Sequence, residues 1–188
     1  MTYWLLIFSI ALHLSFLFYY CKSKKNIIAK TIVMLHYCLL ELIVCYNTSS
    51  VLYLLTMLIG GLLIIEDIEY MEVSIWKILV LISIAIVSLF SQFSFWTILA
   101  AFSYSLGLLL IRVLFNGMLG SADIIYIACI TCIIGPIPAM YAVCIGCILS
   151  LLSIIPALKK QKQIPIPFLP GLCSGFGYAL LIMPIVLK

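Results

Sequence analysis

The sequence predicts an all-α protein: a polytopic transmembrane helical bundle of about eight helical segments, some short or tilted, forming one domain over residues 1–188. Three observations carry this expectation. First, 66% of the residues are hydrophobic, 9% are charged and the mean hydropathy is +1.36, whereas a soluble domain is about 45–50% apolar and 25% charged. Second, the apolar residues form unbroken runs approaching the roughly 20 residues of a membrane helix. A membrane barrel would instead alternate apolar and polar residues over about 10 positions per strand. Third, the connections between runs are short, leaving no room for a separate soluble domain. This composition excludes a water-soluble fold, a disordered chain and a nucleic-acid binder, and the net charge of +4 is scattered singly between apolar runs.

The expected segments are 2–20, 27–46, 51–66, 75–91, 95–115, 123–136, 138–157 and 168–187. The first lacks the basic start and small-residue cleavage site of a signal peptide, so it is expected to remain as a helix. The second carries Glu41 near its middle, with His36 and Tyr37 within about a turn as candidate partners. The third holds Gly60 and Gly61, and the last holds Gly175 and Gly177; both pairs suit close helix packing. Trp4, Tyr19, Tyr20, Tyr46, Trp76 and Trp96 lie near segment ends, where aromatic side chains anchor at a membrane interface.

Charge sets the expected orientation. Lys22, Lys24, Lys25, Lys30, Lys77, Arg112, Lys159, Lys160 and Lys162 fall near the odd-numbered connections, and only Lys188 falls on the other side. By the excess of Lys and Arg in cytoplasmic loops, the first group faces the cytoplasm. Eight cysteines do not imply a disulfide framework, since seven of them lie in apolar runs and behave there as small apolar residues. The pairs Cys129/Cys132 and Cys144/Cys147 have zinc-like spacing but no polar residues beside them to orient a metal. Helix packing accounts for them, and no metal or cofactor is expected. His13 and His36 belong to no protease motif.

The acidic residues are few and unevenly placed. Of six, Glu66, Asp67, Glu69 and Glu72 crowd into one stretch, and Asp123 begins the sixth segment. Asp67 and Asp123 both fall at cytoplasmic helix ends, so carboxylates from distant parts of the chain are expected to meet at one membrane face. Acids at such depth are costly and mark functional sites. The same residues also suit a plainer account, in which Asp123 caps a helix and the Glu66–Glu72 stretch is a solvated turn.

Three blocks carry a further signal: Asp67-Ile-Glu-Tyr-Met-Glu-Val-Ser-Ile-Trp76, Gly120-Ser-Ala-Asp123 after Asn116-Gly117, and Ile164-Pro-Ile-Pro-Phe-Leu-Pro-Gly171 opening the last segment. In this order and topology they resemble the type IV prepilin peptidase family of membrane aspartic proteases. The likeness spans about residues 55–187, a peptidase-like core. Family members pair a first aspartate with a second in Gly-x-Gly-Asp, and many begin the last helix with Pro-Phe-x-Pro. Here Ala122 replaces the second glycine, Ile125 a frequent lysine and Ser74 a usual proline. The cysteine-containing cytoplasmic insert of longer members is absent between the first two segments, so the chain resembles the short form.

The resemblance implies an aspartic endopeptidase of the bacterial inner membrane, its active site facing the cytoplasm, that cleaves the basic leader from prepilin-like proteins. Asp67 and Asp123 would be catalytic, while Glu66, Glu69, Glu72 and Gly120 are candidate substrate-binding residues. The chemistry is sound, because two close carboxylates share a proton: the ionised one activates water and the protonated one polarises the scissile carbonyl. The rival reading is a catalytically degenerate relative acting as a membrane scaffold or assembly partner, suggested by Ala122 and Ile125. A transporter ranks third, since Glu41 is the one acid near the membrane midplane. The expected partners are the leader-bearing substrate and the lipid bilayer, with no nucleic acid.

Overall fold

The computed structural model of the protein describes residues 27–48, 50–92, 94–114, 119–158 and 168–186. Among these residues there are seven α-helices and no strand: α1 (Ile27–Asn47), α2 (Val51–Tyr70), α3 (Ile75–Ser91), α4 (Phe95–Leu114), α5 (Ser121–Ile134), α6 (Pro136–Leu158) and α7 (Leu169–Val186). The expected segment 2–20, with Trp4, His13, Tyr19 and Tyr20, lies outside the described residues. So do Cys21, Lys22, Lys24, Lys25, Asn116, Gly117, Lys159, Lys160, Lys162, the stretch 164–167 and Lys188.

Two helices, α2 and α4, are long and apolar enough to cross a membrane; the other five are apolar over shorter described stretches. α2 lies mostly inside the bundle and α4 almost wholly on its outside. A helix that is apolar on every side and stays exposed needs a nonaqueous neighbour. α4 fits that description, presenting Phe102, Leu109, Leu110, Val113 and Leu114 outward. Tyr46, Trp76 and Trp96 are exposed near helix ends, as their interfacial reading requires.

α7 is the axis of the bundle, packed against α1, α2, α5 and α6. Its tightest seam, with α6, follows from small residues one turn apart: Gly171 and Gly175 on α7 against Ala142, Gly146 and Ser150 on α6. A Cβ at Gly146 would lie 2.9 Å from the Leu172 Cα and 3.0 Å from the Gly171 carbonyl oxygen. With side chains removed from the seam, backbone meets backbone, the usual route to helix association where lipid replaces water. α1 packs against α7 and α2 by a similar device. Gly177 receives Leu40 and Met57, and Gly60 receives the Tyr37 hydroxyl, which donates to the Met57 carbonyl at 2.8 Å.

The largest departure from the expected boundaries concerns α2. It runs a full turn beyond residue 66, to Tyr70, and ends on Met71 in the left-handed region (φ 54°). The Met71 N–H closes the helix on the Asp67 carbonyl at 3.1 Å. Asp67 and Glu69 therefore stand in the last helical turn rather than in a polar loop. α5 begins at Ser121, two residues before its expected start, so Asp123 is already inside the helix.

Candidate active site

The C-terminal end of α2 and the N-terminal ends of α5 and α7 come together at one end of the bundle. Asp67, Asp123 and Leu169 are brought there from widely separated parts of the chain. The backbone N–H of Leu169, the first residue of α7, donates to Asp67 Oδ2 at 3.2 Å. That N–H is one of the donors a helix start leaves unused, and the positive end of the helix dipole favours a carboxylate at this spot. The Phe-Leu-Pro-Gly stretch thus serves as a socket for Asp67. Phe168 closes the first turn by accepting from the Gly171 N–H at 3.1 Å.

Asp123 is held by its own helix. It is the third residue of α5, and its Oδ2 accepts the Gly120 N–H at 3.1 Å. The capping residue is therefore Gly120, with Asp123 folded back onto it as the acidic half of a capping box. A side chain on residue 120 would obstruct that fold: a Cβ there would lie 2.8 Å from Asp123 Oδ2. A carboxylate has about four lone-pair sites, so one accepted hydrogen bond leaves Asp123 chemically available. Asp123 is buried at 6% exposure and Asp67 is half-buried. The two carboxyl groups lie within electrostatic reach of each other. Desolvation and a like neighbour both disfavour charge on Asp123.

Beneath the pair lies a buried thiol and a phenol that sequence reasoning passed over. Cys173, one turn into α7, is fully buried within electrostatic reach of both aspartates. Tyr126, one turn beyond Asp123, is fully buried against the Cys173 thiol. The signal was their spacing, four residues after Leu169 and three after Asp123, which places both on the faces their helices turn toward the site.

The acidic stretch divides. Glu66 is buried at 5% exposure and engaged within the protein: Oε1 pairs with Lys77 Nζ at 2.7 Å and accepts the Ser74 hydroxyl at 2.6 Å, and Oε2 accepts the Ser74 N–H at 2.8 Å. Lys77, counted from sequence among the basic residues near the cytoplasmic-side connections, is buried in this pair at 1% exposure. Glu69 is half-buried and Glu72 is exposed on the turn before α3, so these two are the acids a polycation can approach. Gly120 is exposed and acts on Asp123, as described.

Glu41 is fully buried in α1, within electrostatic reach of Tyr37 and Cys45. His36 faces Tyr178 on α7 instead, Nε2 lying 3.4 Å from the hydroxyl. Among the described residues no three His, Cys, Asp or Glu side chains converge as a metal site. Of the paired cysteines Cys129 is buried, Cys132 and Cys147 are half-buried and Cys144 is exposed. Comparison with protein-family models, with curated proteins and with solved structures gives no match.

Proposed function

We propose that this protein is a polytopic membrane aspartic endopeptidase, similar to short-form prepilin peptidases, with Asp67 and Asp123 as its catalytic pair. One observation carries the reading. Two acids separated by more than fifty residues approach each other at one end of an apolar bundle, and each is oriented by a backbone N–H from a helix start. Bringing two acids together in a buried site is unfavourable, and such costly arrangements cluster at functional sites. In the reaction, the ionised carboxylate takes a proton from water as it attacks the scissile carbonyl. The protonated carboxyl donates to the carbonyl oxygen, and the amide nitrogen leaves after accepting a proton.

The substrate on this reading is a prepilin-like protein cut after its basic leader at the cytoplasmic face of a bacterial inner membrane. Its support is the Lys and Arg asymmetry of the sequence, together with the exposed Glu72 and half-buried Glu69 beside the pair. The bilayer-spanning arrangement of all the apolar segments, about eight with residues 2–20, belongs to the same proposal.

The test is cleavage of a leader-bearing prepilin-like protein by the purified chain in proteoliposomes. Asp67→Asn and Asp123→Asn should each abolish cleavage while the protein still inserts and melts cooperatively. A second reading draws on the bond from Gly120 to Asp123, which gives that acid a structural task in the absence of catalysis. It makes the chain a degenerate relative serving as a membrane scaffold or assembly partner. Near-normal cleavage by Asp123→Asn would sink the protease reading, and Asp123 would revert to a helix cap.

A further inference from the structure

The turn between α2 and α3 contains a buried ionic knot that the catalytic reading does not use. Lys77, from the first turn of α3, reaches back to α2 and grips two consecutive turns. Its Nζ donates to the Leu62 carbonyl at 3.2 Å and pairs with Glu66 at 2.7 Å, with side-chain exposures of 1% and 7% for the ion pair. Ser74 stands at the N-cap of α3 but makes no side-chain cap to its own helix. Both its N–H and its hydroxyl go to Glu66 instead. A serine that forgoes its capping bond gives up helix stabilisation, and here the bond is redirected to the residue immediately before Asp67.

We propose that Lys77 and Ser74 are positioning residues for Asp67, acting through Glu66 to fix the rotation of the last turn of α2. Neighbouring residues on a helix are locked about 100° apart, so anchoring Glu66 from α3 sets the direction in which Asp67 emerges. A 20° rotation of that turn would carry a carboxylate, about 5 Å from the helix axis, by roughly 2 Å. That is enough to break the 3.2 Å bond from Leu169 and to misalign the pair, and misplacements of about 1 Å cost up to 100-fold in rate. The turn needs such an anchor, because α2 ends at Tyr70, three residues beyond Asp67, where the Met71 N–H closes it on the Asp67 carbonyl. A helix end otherwise frays.

This inference rests on the protease reading, and its test separates the two. Steady-state kinetics on a leader-bearing substrate in proteoliposomes, below the melting temperature of every variant, should show Lys77→Met losing about 10-fold or more in kcat. KM should stay within about twofold, because the substrate-binding surface is untouched. Adding Glu66→Gln to Lys77→Met should restore kcat to within about threefold of wild type, since the uncharged amide still accepts from Ser74 and no longer needs a cation. Ser74→Ala, a milder change that keeps the ion pair, should lower kcat about threefold to tenfold with KM unchanged; it carries the test if Lys77→Met does not fold. Wild-type kcat in Ser74→Ala and in folded Lys77→Met, or losses that fall on KM, would overturn the inference while leaving the protease reading intact. A wild-type protein that cleaves nothing would remove both.

Discussion

Replacing Gly175 by Ala should destabilise the bundle although alanine is the better helix former. An ideal Cβ at this position would lie 2.8 Å from the Gly146 nitrogen, 3.1 Å from the Gly146 Cα and closer still to the Ala142 carbonyl oxygen. Nonbonded carbon contacts settle near 3.5–4.0 Å, so relieving the shortest of these contacts requires α6 to retreat by about 1 Å. All three obstacles are backbone atoms, which cannot rotate aside. The retreat also loosens Gly146 against Gly171 and Leu172, where a gap of that size forfeits about a quarter to a half of each contact's attraction. Overpacking of this kind costs up to about 3 kcal/mol. The gain in helix propensity offsets about 1 kcal/mol, leaving a net loss of up to about 2 kcal/mol. For a chain of this size that lowers Tm by up to about 4–8 °C. Gly107 on α4 is the internal control: a Cβ there meets nothing within 4 Å, so Gly107→Ala should raise Tm by about 2–3 °C. Thermal unfolding in one mild detergent, followed by intrinsic tryptophan fluorescence, reads both. A Gly175→Ala protein as stable as wild type, or the same sign for both variants, would refute the packing argument.

The remaining predictions concern the site and its setting. Gly120→Ala should push the Asp123 carboxylate out of its cap, lowering stability by about 1 kcal/mol and reducing cleavage at least 10-fold; melting curves and kinetics on the same preparation check both. Glu69→Gln with Glu72→Gln should raise KM for a basic leader at low ionic strength, leave kcat alone and lose its effect near 1 M salt, where the Debye length falls to about 3 Å. In a background without native cysteines, Glu72→Cys should label from the cytoplasmic side and Gln92→Cys and Asn47→Cys from the opposite side. The reverse pattern would invert the proposed orientation.

Helix class, element order and the meeting of Asp67 with Asp123 were legible in the sequence because each rests on a local and strong signal. Long apolar runs have few folded solutions, and rare acids in such runs stand out. The end of α2 was misread for a physical reason. The stretch from Glu66 to Tyr70 looks like a polar turn until the cation that neutralises Glu66 is known, and that cation, Lys77, comes from the next helix. The burial of Lys77 was hidden for the same reason, since its partner lies on the preceding helix. Asp123 was readable as a helix-start residue, but its role as the acid that bonds back to Gly120 depends on a start two residues earlier. Cys173 and Tyr126 were hidden by their own chemistry: in an apolar run a thiol or a phenol scores as packing, and only the α5–α7 contact brings them under the aspartates. Close packing was expected of Gly175 and Gly177, but they serve different seams: Gly175 joins Gly171 against Ala142, Gly146 and Ser150 on α6, and Gly177 receives Leu40 and Met57.

The most direct measurement of the central claim is kcat/KM for cleavage of a prepilin-like substrate by wild type, Asp67→Asn, Asp123→Asn and the double variant. If the two carboxyl groups form one catalytic unit, either single change abolishes turnover and the double variant is no worse than either alone, because residues acting as a unit are strongly non-additive. Independent, multiplying losses, or appreciable cleavage by either single variant in a folded, membrane-inserted protein, would contradict it.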